Sequence, residues 1–549
     1  MGCKAKYTAS PKGRGLPAPE RFFGTILAGG RLQEADGDIC PRSMTECKTE
    51  PGLQACVFLL FLCFCVGVVM RMKFNLCLIF LTIFVPELQA QEESGTLSAN
   101  ASLASYASTG KELPFWLRSN QNGVFQSPNS ITQLLLTGFS RSFETGGSGK
   151  WDYTFGAEIV AGYGDKIYYQ PNQYWVGARY DWLTMRIGAE ADSVRFGGLS
   201  STNGNMDASN NARPVPRIAL ATNGFVSFPF KEGFFSWKAN YSEGMILDNS
   251  YIQNAHLHHK SFDARIELPW KLDVTFGLEH YVFWGGTSPS LGPLPGWKDY
   301  FRYILSMKGG SDFPISDQGN AAGSQFFLYN LEIHKVFDEK QVTVYWNHPF
   351  QNRAGMKLAN IPDGLLGIHV SMGNEPRILN EFVYEWMNTL RQNNIATSSQ
   401  ISGGESYFNN SEYQSGFTHF EQMMGSPLFV PILNDSGVSL GIEDTRMWMH
   451  HLGIKGFLGK NLRWKMMLTY SGNYGMGGVS LQTPVKELSS FGEIVYVPKN
   501  SPLEFNVAVA NDIGQRFENR TGFTAGLKWR PSEETRKRGT WVIRKRRYF

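Results

Sequence analysis

Apolar and polar side chains alternate along most of this chain, from about residue 113 to residue 530. In residues 151–162 the odd positions hold Trp, Tyr, Phe, Ala, Ile and Ala, and the even positions are mostly polar or small. The same period of two recurs at residues 174–182, 183–190, 462–470 and 523–529. Alternate residues of a β-strand lie on the same face, so the pattern predicts strands with one apolar and one polar face.

A soluble β-sandwich and a membrane barrel both show such alternation. Three features favour the barrel. The polar face is often Gly, Thr, Ser or Asn, and the apolar face often ends in Trp or Tyr, as an aromatic girdle does. Strands of about 10 residues alternate with short turns and long polar loops. The pattern also runs for about 430 residues without a domain break. The sequence therefore predicts an all-β fold, a transmembrane antiparallel β-barrel.

The positions of the cysteines and of the excess positive charge along the chain exclude several classes of protein. Beyond residue 77 there is no cysteine, which excludes disulfides, Cys-ligated metals and a cysteine nucleophile from the rest of the chain. Residues 91–530 hold 35 Lys+Arg and 39 Asp+Glu, and the basic excess lies at the two ends, so the composition does not argue for nucleic acid. The seven cysteines are Cys3, Cys40, Cys47, Cys56, Cys63, Cys65 and Cys77.

The N-terminal region predicts export. Residues 72–90 have a basic start, an apolar core over 76–85 and a plausible cleavage point after Ala90, as a signal peptide has. Residues 1–71 contain a second apolar run, and are either a non-native upstream extension, with translation starting at Met70 or Met72, or a genuine leader. We assign residues 91–112 to an N-terminal periplasmic segment, 113–530 to the barrel and 531–549 to a basic C-terminal tail.

Two regions within the barrel need a separate interpretation. Residues 378–390 fit either a helical face or a strand, and we favour the strand because the neighbouring segments are strands. Residues 203–217 and 393–437 predict long irregular loops.

Several local motifs resemble the capsule assembly Wzi family, in the form carried by Bacteroidota. Each motif is weak alone, and their order and joint presence over residues 110–530 carry the resemblance. It implies an outer-membrane barrel of about 18 strands, possibly with a small periplasmic helical element, in a Gram-negative bacterium. The motifs are LPFWLRSNQNG at 113–123, ARPVPRI at 212–218, HLHHK at 256–260, HYVFWGG at 280–286, NHPF at 347–350, NEFVYEW at 380–386 and YFNN at 407–410.

The resemblance also implies a function. Members act as lectins that hold exported capsular polysaccharide at the cell surface. The implied partners are capsular or other surface polysaccharide, outer-membrane lipid and lipopolysaccharide, and the barrel-insertion machinery, without nucleic acid.

Sugar binding needs aromatic faces for stacking and Asn, Gln or Arg side chains for hydroxyl and carboxylate groups. Loop residues around 407–414 supply that mixture, and arginines elsewhere suit uronic acids. The alternative is that these residues fold the loops back into the barrel. The candidate ligand-binding residues are Arg213, Arg217, Asn347, Arg353, Tyr407, Asn409, Asn410 and Tyr413.

Catalysis and metal binding find little support. The histidines at 256, 258 and 259 come without a Cys partner or an H-E-x-x-H motif. Glu381 and Glu385 would both face the lumen of a barrel, where charged residues are common. We find no nucleophile–base pair, and predict a non-enzymatic protein without metal or cofactor. The main alternative is a porin or substrate-specific channel, followed by an outer-membrane enzyme and a soluble secreted protein.

Overall fold

A computed structural model describes residues 97–126, 129–144, 150–228, 233–392, 406–476, 479–499 and 501–530. The predicted signal peptide at 72–90, the upstream residues 1–71 and the tail at 531–549 lie outside the described residues.

Strands dominate these residues. In chain order they are β1 (Leu97–Ser108), β2 (Ile131–Arg141), β3 (Trp151–Tyr163), β4 (Ile167–Tyr180), β5 (Leu183–Ala189), β6 (Arg217–Thr222), β7 (Val226–Ser227), β8 (Phe235–Met245), β9 (His256–Leu268), β10 (Leu272–Trp284), β11 (Thr287–Ser288), β12 (Gly292–Pro293), β13 (Ser324–Phe337), β14 (Lys340–Phe350), β15 (Gly364–Ser371), β16 (Glu381–Asn388), β17 (Thr418–His419), β18 (Gln422–Met423), β19 (Pro431–Leu433), β20 (Ser439–Ile442), β21 (Met447–Phe457), β22 (Leu462–Met476), β23 (Val479–Tyr496), β24 (Leu503–Gly514) and β25 (Arg520–Trp529).

Nineteen of these strands form one antiparallel sheet that closes on itself. β1 pairs with β2 on one side and with β25 on the other, so the first and last strands of the wall meet. β6 and β7 both pair with β8 and together make one interrupted strand. The wall is therefore a closed barrel of 18 strands, which confirms the predicted fold class and strand number. The other six strands form three small hairpins within connections.

The outward face of the wall is apolar. Val176 on β4 and Val507 on β24 are 58% and 55% exposed, whereas polar residues that point into the lumen from the same strands, such as Gln170 and Asp512, are buried. Large aromatic side chains gather where the strands end, with Trp151 at the start of β3 and Trp270 in the turn before β10. An apolar outer band with aromatic borders around a polar interior is the arrangement of a transmembrane barrel of the outer-membrane type.

The two ends of the barrel differ in loop length. At the end that holds the wall's termini, the connections between strands are shorter than ten residues, and some have only two, as at residues 181–182 and 338–339. At the opposite end the connections include residues 190–216, 285–323 and 389–446. Outer-membrane barrels have short periplasmic turns and longer outer loops, so the long connections mark the outer end.

Helices are few and short. They are α1 (Phe115–Arg118), α2 (Tyr300–Ile304), α3 (Ile315–Gly319) and α4 (Arg353–Met356), with 3₁₀ turns at Phe196–Gly198 and Trp297–Asp299. None of the helices in the described ranges has the length and hydropathy that a membrane-spanning helix needs.

Two expectations need correction and two are confirmed. β1 lies within the segment 91–112, so the prediction of a periplasmic segment there is wrong for Leu97–Ser108, whose small Ser and Ala side chains give little apolar contrast. The helices of the described residues all lie in connections at the outer end, which is not where a periplasmic helical element would lie. Residues 378–390 contain a strand, Glu381–Asn388, and the alternation at 523–529 lies within the last strand, Arg520–Trp529.

Candidate functional site

The first outer connection, residues 109–130, folds into the lumen. It carries α1, which packs against β23 and β24 with Phe115 and Trp116 buried. The backbone N–H of Phe115 donates to Asp512 Oδ2 at 2.9 Å, and Trp116 Nε1 donates to Thr469 Oγ1 at 3.0 Å. Proline at position 114 precedes the helix and sets its entry. The inward polar residues of the wall thus bind α1 at both its backbone and its side chains.

The second inward connection is residues 190–216, and Glu385 holds it. This fully buried carboxylate accepts hydrogen bonds from Ser200 Oγ, Ser201 N (2.8 Å), Ser201 Oγ and Tyr345 OH (2.6 Å). Three of the four donors belong to the connection. Hydrogen bonds to an ionised acceptor are about twice as strong as neutral ones, so one strand residue fixes this part of the loop.

A second charged group holds the 3₁₀ turn Phe196–Gly198. Lys455 Nζ lies 3.0 Å from Glu381 Oε1 and donates to Gly197 O at 2.9 Å. His369 Nε2 lies 3.1 Å from the other oxygen of Glu381. Gly197 has φ of 61°, and a Cβ built on it would overlap Lys455 Nζ and Glu381 Oε2. Glycine is therefore required both for the backbone conformation and for the approach of the buried ion pair.

The third inward connection is residues 389–446, of which residues 406–446 are described. Tyr407 OH donates to Asp363 Oδ2 at 2.9 Å, and Asn360 Nδ2 donates to Tyr407 OH at 2.6 Å. Burial raises the pKa of Asp363, while hydrogen bonds from the backbone of Arg391 and Gln392 lower it. The loop is thus tied to the neighbouring connection at 351–363.

The inward connections also bind one another. Asn120 Nδ2 donates to Ser201 O at 2.9 Å, and Gly123 N donates to Asn211 O at 2.9 Å. Asn211 Nδ2 in turn donates to Met423 O at 3.0 Å. A buried aromatic cluster between the third connection and the wall completes the packing, namely Tyr281, Phe283, Phe326, Phe408, Phe417 and Phe429. Three segments that are far apart in sequence therefore form one plug within the lumen.

Four of the predicted ligand-binding residues have structural roles, either within this plug or, for Asn347 on β14, in attaching it to the wall. Asn347 accepts a hydrogen bond from Met206 N at 3.1 Å and donates to Asn330 Oδ1 at 2.8 Å. Asn409 exchanges hydrogen bonds with the backbone of Ile442. Tyr407 and Tyr413 are buried, and Tyr413 OH donates to Gly285 O at 3.2 Å.

The other four predicted residues lie nearer the surface and in different places. Arg217 begins β6 and lies 3.2 Å from Asp192. Arg353 begins α4, is exposed, and follows the N-cap residue Asn352. Asn410 Oδ1 accepts from the backbone N–H of Glu412 and of Tyr413. The structure does not bring the eight residues into one site, and their ligand-binding role stays a prediction.

Arg213 is part of a polar and aromatic cluster at the outer mouth of the lumen, which we call the mouth platform (Gln170, Arg213, Phe420 and Gln422). Gln170 is buried, and the other three side chains are half-buried. The Arg213 guanidinium carbon lies 3.6 Å from the centre of the Phe420 ring, and Arg213 Nη2 donates to Gln170 Oε1 at 2.5 Å. Gln422 Nε2 donates to Phe125 O at 3.0 Å. The sequence analysis identified Arg213 and missed the other three. Gln170 precedes the alternating segment at 174–182, and Phe420 and Gln422 lie in the predicted irregular loop at 393–437.

The platform contains strained backbone. β17 and β18 are joined by the two-residue turn Phe420–Glu421, with φ of 49° and 62°. Such turns normally take Asn or Gly, and a non-glycine residue in this conformation costs about 1 kcal/mol or more. Phe420 N donates to Asp248 Oδ2, which fixes the turn beneath Arg213. Burial and the nearby Asp248 raise the pKa of Glu421, although Arg213 opposes this.

The structure places the histidines and carboxylates that were considered for metal binding and catalysis in different surroundings. Glu381 and Glu385 both face the lumen, as predicted, and both hold the plug. His256 and His258 share the outward face of β9, and His259 stacks on Tyr281 with ring centres 4.0 Å apart. Within the described ranges, no group of three or more His, Cys, Asp or Glu side chains is placed to hold a metal ion.

Comparisons with known proteins find similar folds and no family. No family model matches the chain, and no curated protein matches it. Among solved structures, the chain is similar to Wzi of Escherichia coli, described as an outer-membrane, carbohydrate-binding β-barrel involved in group 1 capsule assembly. That likeness has 12% identity, covers 78% of this chain and 83% of that chain, and has a TM-score of 0.49.

Two barrels of Pseudomonas aeruginosa are also similar. OprD has 10% identity, with 82% of this chain and 98% of that chain covered and a TM-score of 0.41. OccK5 (OpdH) has 10% identity, with 80% and 98% covered and a TM-score of 0.41. At these values the likenesses decide nothing about this chain, and membership of the Wzi family stays a prediction.

Proposed function

We propose that the protein is a non-enzymatic outer-membrane barrel that binds surface polysaccharide and helps attach exported capsule to the cell. The observation that carries the proposal is the plug. Three outer connections fill the lumen through buried hydrogen bonds to the wall and to each other, which suits a fixed binding surface better than an open channel. The motif resemblance to a capsule assembly family agrees with this function.

The mouth platform is the surface we assign to the glycan. Phe420 and the planar guanidinium of Arg213 offer apolar faces to a sugar ring, and the amide of Gln422 offers a donor and an acceptor for hydroxyls. Gln170 is buried beneath Arg213 and holds its guanidinium in place. A repeating polymer would be held by many weak contacts across neighbouring barrels, so avidity would offset a low affinity at each site.

Binding by purified protein tests the platform. Detergent-solubilised protein should bind capsular polysaccharide or exopolysaccharide extracted from its own organism. Arg213→Ala and Phe420→Ala should each weaken binding by about tenfold, because the polymer loses a contact at every barrel. Lys357→Ala is the matched control, since it removes an exposed cation from another outer connection. Folding of each variant is checked by heat-modifiable migration.

Deletion of the gene tests attachment in the cell. The proposal expects polysaccharide still to be made and to move from the cell-attached fraction to the medium. Unchanged attached and shed amounts would contradict it.

The second candidate is a porin or substrate-specific channel. The polar wall of the lumen favours it, because Glu385, Lys455 and His451 are typical of channel interiors. Single-channel recording in planar bilayers separates the two. Discrete conductance steps from the native protein would support the channel, and their absence together with polymer binding would support the proposed function.

A further inference from the structure

One outer connection folds outside the barrel. Residues 285–323, here called the external segment, contain α2 and α3 and follow β10. Its contacts are with wall residues that point away from the lumen. Lys260 on β9 pairs in register with Tyr241 and His280, and two positions further along the same face lies Phe262, which is exposed on the outer band.

These outward wall residues bind the external segment. Lys260 Nζ donates to Ile304 O, and Gln325 Nε2 donates to Tyr303 O at 3.1 Å. Glu243 accepts from Tyr300 OH and, at 3.3 Å, from Trp284 Nε1. Apolar packing accompanies these bonds in a small buried cluster separate from the main core, made of Val282, Trp284, Tyr303, Phe313 and Ala322.

The covered wall is polar, which explains why a cover is needed. Glu243, His258, Lys260, His280 and Gln325 face outward on adjacent strands, where a bilayer would otherwise meet them. Charged groups on the lipid face of a barrel are destabilising, most strongly at mid-depth and less toward the interfaces. The external segment pairs these groups with its own backbone and hydroxyls, so the wall there no longer faces lipid directly.

The other side of the external segment is apolar and exposed. Ile315 is 88% exposed, Phe301 69% and Trp297 62%, and Leu305 is also largely exposed. Phe301 lies on α2 and Leu305 is the C-cap residue of that helix, four positions further on, while Tyr303 and Ile304 are buried. Exposed cations flank this surface at Lys298 and Lys308.

Position along the barrel places this surface at the outer leaflet. His280 is eight residues above the start of β10, about 26 Å along the strand, or roughly 20 Å above the periplasmic border after the usual tilt. The apolar band of outer-membrane barrels is about 25 Å tall. The apolar side of the external segment therefore continues the band of Phe262, Phe276 and Leu278 into the upper part of the membrane.

We propose that the external segment is a lipid-binding surface that inserts Trp297, Phe301, Leu305 and Ile315 among the acyl chains of the outer leaflet. Lys298 and Lys308 then lie at the level of the headgroup phosphates, as cations do at a membrane interface. The surface anchors the polar flank of β8, β9, β10 and β13 in lipid. It is independent of polysaccharide binding, and the partner is the lipid bilayer rather than a second barrel.

Site-specific photo-crosslinking in native membranes tests the proposal. p-Benzoylphenylalanine replaces Phe301 or Ile315 in the full chain, and adducts are separated by size and probed for lipid. Replacement of Phe262, within the apolar band, is the positive control, and replacement of exposed Gln253, in the outer connection at 246–255, is the negative control. Heat-modifiable migration confirms that each variant folds.

The expected result is a lipid adduct at Phe301 and Ile315 with a yield within about twofold of that at Phe262 and well above that at Gln253. Crosslinked dimers of this chain at either position, in place of lipid adducts, would overturn the proposal in favour of a barrel–barrel interface. Yields no higher than at Gln253, with a normal signal at Phe262, would overturn it as well. Neither result depends on polysaccharide, so failure here leaves the proposed function untouched.

Discussion

Two long outer connections leave the same end of the barrel and fold in opposite directions. Residues 190–216 enter the lumen, and their Ser, Asn and Gly residues bind buried charges such as Glu385 and Lys455. Residues 285–323 turn outward and present Trp297, Phe301 and Ile315 on their free side. Both connections satisfy charged wall residues on one side. They differ on the opposite side. Residues 190–216 pack there against protein in the lumen, whereas residues 285–323 leave an apolar surface exposed outside the barrel.

The largest effect is expected from the group that holds the inward connection. Glu385→Ala leaves Ser200, Ser201 and Tyr345 without their acceptor inside the lumen, and should lower the free energy of unfolding by about 3 kcal/mol or more. Denaturant unfolding in detergent measures this. Asp192→Ala, which removes the exposed partner of Arg217, should change it by less than about 0.5 kcal/mol. Equal effects would contradict a dominant role for Glu385.

Two adjacent glycines in the same connection separate the backbone effect of a substitution from its effect on the buried ion pair. Gly197→Ala should lower the free energy of unfolding by about 2–4 kcal/mol. Alanine disfavours the positive φ at this position, and its Cβ would displace the Lys455–Glu381 pair. Gly198→Ala shares the positive φ, of 72°, but its Cβ has no neighbour closer than 3.5 Å, so only the backbone cost of about 1–2 kcal/mol is expected. The difference between the two unfolding midpoints isolates the contact with the ion pair.

A smaller effect is expected on the docking of the external segment against the outer face of the wall. Tyr300→Phe removes the hydrogen bond to Glu243, and should weaken docking by about 1 kcal/mol. Faster tryptic cleavage at Lys298, Arg302 or Lys308 in folded protein would report it. Tyr329→Phe is the control, because its hydroxyl makes only a 3.4 Å contact with Met356 O. Equal cleavage rates in the two variants would contradict the docking role of Tyr300.

The smallest effect is expected on the free side of the external segment. Ile315→Ser should change unfolding in detergent by less than about 0.5 kcal/mol, because that side chain contacts little protein. Leu199→Ser, in the inward connection, replaces a fully buried side chain and should cost about 3 kcal/mol. A large loss from Ile315→Ser would show that its side chain packs on protein instead.

Much of the wall could be predicted from the sequence, and much of the site could not. The strands around Trp151, Leu183 and Phe523 follow the alternation within a residue or two. β1 was missed because its outward residues are largely Ala and Ser, which do not contrast with the inward ones. Tyr407, Asn409 and Tyr413 were identified as a loop cluster, but their burial depends on partners at Asp363, Ile442 and Gly285 that local sequence does not reveal.

The sequence by itself determined the strands of the wall and their two faces, since a period of two places alternate side chains on opposite sides of a strand. The tertiary structure decided where the outer connections go. Ser201 and its acceptor Glu385 are 184 residues apart, and Gly197 and Lys455 are 258 residues apart. Such pairs join residues that only the closed wall places side by side, and the connections supply partners for buried polar groups of the wall.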